Sequence, residues 1–119
     1  MDTIKSSLEI SSLFSTGKRV HTPFLTLIYK SNTGEDGEVE MMQHDRKGRV
    51  AFIAGKKLGN AVWRNSAKRR MRALCRDLGG PWAGYDVIFL AKSSLTSATY
   101  SKVLSACDKT TKRSFFHGE

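Results

Sequence analysis

The chain has 119 residues, 39% of them apolar, and carries 20 Lys and Arg against 11 Asp and Glu, a formal net charge of +9. That length suits one domain, 1–119, with a single core, and no run of about 18 apolar residues occurs that could cross a membrane. The N-terminus MDTIKSSLEI has neither the basic start nor the apolar middle of a secretion signal, so the cytoplasm is the expected compartment.

The charge is regional. Residues 1–48 are net −1, residues 49–77 are net +8 and residues 78–119 are net +2. So local a surplus points to a polyanion-binding face rather than to general solubility. Cys75 and Cys107 lie in separate helical patterns without metal-type spacing, and read as small half-buried apolar residues.

Ser6-Ser7-Leu8-Glu9 reads as a capping box that starts a short helix. Ile10, Leu13 and Phe14 form its apolar face, and Gly17 is expected to end it in the left-handed conformation. Lys18 and Arg19 follow as exposed cations. Phe24 to Tyr29 is a β-rich apolar run that predicts a buried strand. Ser31 to Gly37 is turn chemistry, and weak strand character around Val39–Met42 sits in a polar loop that runs to Gly48. Val50 to Ala54 is the next strand.

Gly55 to Arg76 then holds eight of the twenty Lys and Arg in twenty-two residues, with no acidic residue before Asp77. Asn60 is the expected N-cap of a helix from Ala61 to about Leu78, stopped by Gly79-Gly80-Pro81. Trp63, Ala67, Met71, Leu74 and Leu78 recur at helical spacing as one apolar stripe, while Arg64, Lys68, Arg72 and Arg76 step by four on another face. Tyr85 to Ala91 is a last buried strand. Ser97 or Thr96 is expected to cap a final helix with Tyr100, Val103, Leu104 and Cys107 on one face, and the tail KRSFFHGE to fray.

Cations at helical spacing can track phosphates, each contact releasing condensed counterions, and Arg adds bidentate contacts. Asn60 and Asn65 can donate to phosphate or 2′-hydroxyl oxygens. Membrane-surface or calmodulin-type binding competes with this reading, and the Asn pair disfavours both. No catalytic set emerges from the spacing. His21, His44 and His117 are far apart, His44-Asp45 lies in a polar loop, and Glu35, Asp36, Glu38 and Glu40 read as a solubilising cluster. No phosphate-binding glycine motif is present.

The run Gly55-Lys56-Lys57-Leu58-Gly59-Asn60-Ala61-Val62-Trp63-Arg64-Asn65-Ser66-Ala67-Lys68-Arg69 closely resembles the signature of the bacterial ribonuclease P protein subunit. Leu13-Phe14 with Gly17 and Arg19, Thr22 to Ile28, and Gly84 to Ala91 are similar to other parts of that family. The resemblance implies an α+β fold, an α/β sandwich of the kind found in a ribosomal protein domain. Its mainly four-stranded sheet would follow the order α-β-β-β-α-β-α, with a left-handed β-α-β crossover.

The resemblance also implies that an RNA subunit and magnesium, bound mainly by that RNA, cleave the 5′ leader from precursor tRNA. The protein would have no catalytic or metal-binding residue of its own, and neither membrane nor DNA as a partner. Lys56, Lys57, Asn60, Arg64, Asn65, Lys68, Arg69, Arg70 and Arg72 would contact RNA. Ile10, Phe14, Thr26 and Ile28 would line a cleft for the leader. Ser66 stands where many relatives carry a cation, and Ile10 and Ile28 where aromatics are common. Two alternatives of other classes are a stand-alone basic RNA-binding module, such as a small ribosomal protein, and a protein-only nuclease using His44, Asp45 and the acidic loop.

Overall fold

The computed structural model describes residues 3–32 and 48–113. Helix α1 (Ser7–Thr16) leads into strands β1 (Lys18–His21) and β2 (Leu25–Ser31), then β3 (Arg49–Ile53), helix α2 (Ala61–Asp77), strand β4 (Tyr85–Ala91) and helix α3 (Tyr100–Arg113). This is the α-β-β-β-α-β-α order expected of an α+β sandwich. The strands lie in the order β1-β2-β4-β3, antiparallel except for the parallel pair β3 and β4. A parallel pair of neighbours needs a long connection, and α2 supplies it.

β2 and β4 are the inner strands, which is why both read as nearly continuous apolar runs. On one face Leu25, Leu27, Val50, Val87 and Phe89 pack with Ala67, Met71, Leu74 and Cys75 of α2 and Val103 and Cys107 of α3. On the other, Ile28, Ala51 and Ile88 pack with Ile4 and with Leu13 of α1. Both cysteines are free and buried, and burial pushes each thiol up to about 11.

Several local expectations change. Ser6 caps α1, its Oγ accepting from the Glu9 N–H at 3.3 Å, but the Glu9 carboxylate does not return the bond. It accepts from Arg49 across the layer instead, at 2.7 Å. Gly17 is extended (φ −73°, ψ 157°), not left-handed. What demands glycine there is space: a Cβ would stand 2.6 Å from the Leu13 carbonyl oxygen and 2.9 Å from Ile28 Cγ2.

Lys18 and Arg19 are exposed as expected, yet they begin a strand that pairs with Tyr29 and Ile28. Thr22 makes the turn that follows, its hydroxyl accepting from the Phe24 and Leu25 N–H groups. Helix α3 is capped by Thr99, whose Oγ1 accepts from the Lys102 N–H. Thr96 and Ser97 lie before it, at the end of a short 3₁₀ turn. Lys112 and Arg113 of the expected frayed tail are helical. The weak strand near Val39–Met42 lies outside the described residues.

Candidate nucleic-acid interface

Strand β3 runs out at Ile53 into a 3₁₀ turn, Lys56–Leu58, that holds Lys56 and Lys57 exposed. Gly59 lets this turn sit against α2, since a Cβ there would lie 2.8 Å from Cβ and Cγ of Trp63. Asn60 starts the helix, its Oδ1 accepting from the Trp63 N–H at 2.9 Å. That bond uses only the oxygen of an exposed amide and leaves Nδ2 to outside partners. Trp63 anchors the first turn through Nε1, which donates to Thr96 Oγ1 at 2.9 Å.

The apolar stripe then sorts the cations. With Ala67, Met71, Leu74 and Cys75 fully buried, Asn65, Ser66, Arg69, Arg72 and Arg76 are exposed. The Arg72 guanidinium lies 5.7 Å from the centre of the Phe52 ring on β3, so the row Arg64, Lys68, Arg72 runs along the β3 flank. Arg64 is half-buried there, and its Nε is sealed from solvent without an acceptor.

Arg70 is on the opposite flank. Its Nη1 donates to the carbonyls of Leu95 (3.0 Å) and Ala98 (2.7 Å), and its guanidinium lies 5.8 Å from the Tyr100 ring centre. It ties α2 to the start of α3 and leaves the outward-facing set. Val62, 77% exposed, is an apolar member of the same outward face that charge counting overlooks.

A second feature lies on the other side of the sheet. Register aligns three rows across the strands: Lys30, Asp86 and Arg49; then Arg19, Ile28, Ile88 and Ala51; then His21, Thr26, Leu90 and Ile53. Helix α1 crosses above the first two. At one end Arg49 bridges Glu9 and Asp86, with 2.7 Å to each carboxylate, and these two partners raise the Arg49 pKa against the smaller effect of its burial. At the other end Lys30 Nζ donates to Thr16 Oγ1 at 3.0 Å. A polar cavity of about 240 Å³ lies on that side of the helix, lined by Glu9, Ser12, Lys30, Asn32, Arg49 and Asp86 among others.

The third row stays beside α1 rather than under it, and makes the floor of a trough. Half-buried Ile53 and Leu90 form the floor, half-buried Ile10 and Phe14 the wall. Arg19 covers one face of Phe14, and His21 ends the row on β1 with its Nδ1 3.1 Å from Thr26 Oγ1. Of the expected cleft residues, Ile10 and Phe14 lie half-buried on the α1 side of this trough. Ile28 is 0% exposed beneath α1 and is a core residue. Thr26, 5% exposed, meets the trough only through His21. Sequence reading missed Ile53, Leu90 and His21, which only the strand register sets in one row with Thr26, and Arg19, which it sets in the next row opposite Ile28.

Among the described residues no group of three or more His, Cys, Asp or Glu is placed to hold a metal ion. Neither His44-Asp45 nor the acidic cluster belongs to the described residues. No described helix is long and apolar enough to cross a membrane.

The chain matches the family model described as Ribonuclease P over residues 1–114. A protein of Natranaerobius thermophilus named "Ribonuclease P protein component" is 31% identical over 114 residues, which span 94% of this chain and 89% of that protein. A protein of Syntrophomonas wolfei with the same name is 30% identical over 98 residues, covering 82% and 73%. Among solved structures, the RNase P protein from Thermotoga maritima has a TM-score of 0.73 at 18% identity, covering 95% of this chain and 97% of that one. The Staphylococcus aureus RNase P protein gives 0.72 at 21% identity over 94% of each. These last two likenesses bear on the fold.

Proposed function

The chain belongs to the ribonuclease P protein family, and from that membership we propose that it is the protein subunit of an RNA-based endoribonuclease that removes the 5′ leader of precursor tRNA. In this reading the α2 face binds the RNA subunit, the trough holds the single-stranded leader, and cleavage belongs to the RNA and its magnesium ions. The chain works by binding and orientation, with its side chains neither attacking nor protonating the scissile phosphate.

One observation carries the reading: the apolar trough and the basic face meet at one point. Ile53 ends the trough floor, and Lys56 and Lys57 begin the basic face three residues later. A strand leaving a structured RNA bound at Lys56, Asn60, Arg64, Asn65, Lys68, Arg69 and Arg72 would enter the trough without crossing an acidic side chain between Ile53 and Lys57. Phosphates would be met by cations, and unstacked bases by Phe14, Ile10, Ile53 and Leu90. A stand-alone module such as a small ribosomal protein explains the charge but finds no support in the family matches.

The test is reconstitution. The protein alone with magnesium is expected to leave precursor tRNA intact, and adding it to the RNA subunit at low magnesium is expected to restore leader removal. Cleavage by the protein without RNA would overturn the proposal and favour the nuclease alternative through His44 and Asp45.

A further inference from the structure

The trough ends in a polar pair. His21 closes the row Ile53, Leu90, Thr26, His21 on the outer strand. Three inter-strand steps of about 4.8 Å separate it from Ile53, roughly 14 Å in all. Thr26 is buried, so its hydroxyl is a fixed anchor, while the imidazole that it holds is exposed. The bond at Nδ1 occupies that nitrogen and leaves Nε2 as the ring's outward donor or acceptor, with no hydrogen bond among the described residues.

The rest of the trough is chemically indifferent to base identity. Ile10, Ile53 and Leu90 offer apolar contact, and Phe14 offers a ring. Arg19 is engaged with Phe14 through its carbonyl and its ring. Stacking and apolar contacts tolerate any base, whereas hydrogen bonds to base edges discriminate among unstacked bases. We propose that His21, positioned by Thr26, is the specificity-determining residue of the trough. It reads the edge of one leader base, at the end of the trough away from Lys56. This rests on the leader-binding reading above and adds to it which residue makes the leader's sequence matter.

The experiment uses the enzyme reconstituted with its RNA subunit, and precursors whose leaders differ in one base at one position at a time. The wild-type enzyme is expected to prefer one base at a single leader position by about fivefold in kcat/KM, the ratio that one net hydrogen bond supplies. His21→Ala is expected to cut that ratio below about twofold, while affinity for the RNA subunit, measured separately by filter binding, stays unchanged. Thr26→Ser keeps the hydroxyl and should keep the preference, and Thr26→Val should lose it. If Thr26→Val also loses RNA binding, His21→Ala and Thr26→Ser decide the matter. A preference that survives His21→Ala, a loss equal for all four bases, or a wild-type enzyme indifferent to every leader base overturns this inference and leaves leader binding standing. Absence of any stimulation by the wild-type protein overturns the proposed function, and the inference with it.

Discussion

Arg19 lies across the ring of Phe14: its guanidinium is 5.5 Å from the ring centre, and its Nη2 donates to the Phe14 carbonyl at 3.1 Å. Helix α1 and strand β1 thus meet in a stacked pair whose outer surface is a planar cation. A nucleobase can stack on that plane or on the other face of the ring, and a phosphate can pair with the charge. Phe14, expected to line the cleft, is half of a composite surface with Arg19.

Phe14→Ala is expected to cost about 1–3 kcal/mol of affinity for precursor tRNA and far less for mature tRNA. Arg19→Ala should weaken precursor binding and lower the salt slope by about 0.7, the value for one phosphate contact on a single strand. Fluorescence anisotropy over a salt series reads both. Equal losses for precursor and mature tRNA would assign the pair to the core alone.

Arg64 and Arg70 belong to one basic run but lie on opposite flanks of α2. Arg64→Ala is expected to weaken binding to the RNA subunit and to reduce the salt slope by about one unit. Arg70→Ala should leave the slope alone and lower folding stability by about 1–3 kcal/mol, because the Leu95 and Ala98 carbonyls lose a charged donor. Salt-dependent binding and chemical denaturation of each variant separate the two. A slope lowered equally by both would put Arg70 on the RNA face after all.

Gly59→Ala tests the junction between the trough and the basic face. The added methyl would meet Trp63 at 2.8 Å, and overpacking of that kind costs about 1–3 kcal/mol. The strain is expected to push the Lys56–Leu58 turn off the helix, lowering both the melting temperature and affinity for the RNA subunit. An alanine variant that melts and binds as wild type would show that the turn moves freely.

The buried thiols predict an alkaline limit. Their ordinary value is 9.0, and burial takes Cys75 and Cys107 to about 11. Between these values the unfolded chain releases protons that the folded chain retains. Stability contributed by the neutral thiols is therefore complete below about pH 9 and falls as pH rises through 11. Denaturation midpoints should drop across that window, and less so in a Cys75→Ala, Cys107→Ala double variant. At pH 8 a thiol reagent should label the folded chain slowly and the unfolded chain fast. Rapid labelling of the folded chain would contradict the burial.

Much of this was legible from local pattern alone. Asn60, Gly79 and the Trp63-to-Leu74 stripe delimit α2, because capping, a positive φ of 95° at Gly79 and 3.6-residue periodicity act over a few residues. The inner strands announce themselves by being apolar on both faces. β1 was illegible, since Lys18–His21 has no apolar alternation and becomes a strand only by pairing with β2. Thr99 lost to Ser97 and Thr96 as the expected cap because nothing local marks the 3₁₀ turn Ser93–Thr96, whose end takes up those two residues.

The charge, the helices α1 and α2, the inner strands and the cationic face of α2 follow from the amino acids as written, since each depends on composition or on contacts a few residues apart. Which residues share a surface does not. Ile53, Leu90, Phe14 and His21 come together through strand register and the angle of α1 across the sheet, and the Glu9–Arg49–Asp86 bridge holds that angle across 77 positions of sequence. Arg70 turns inward while Arg64 and Arg72 stay on the β3 flank for the same reason: the backbone carbonyls of the segment before α3, far along the chain, happen to stand within reach. Packing between distant segments decides such partners, and no periodicity records it.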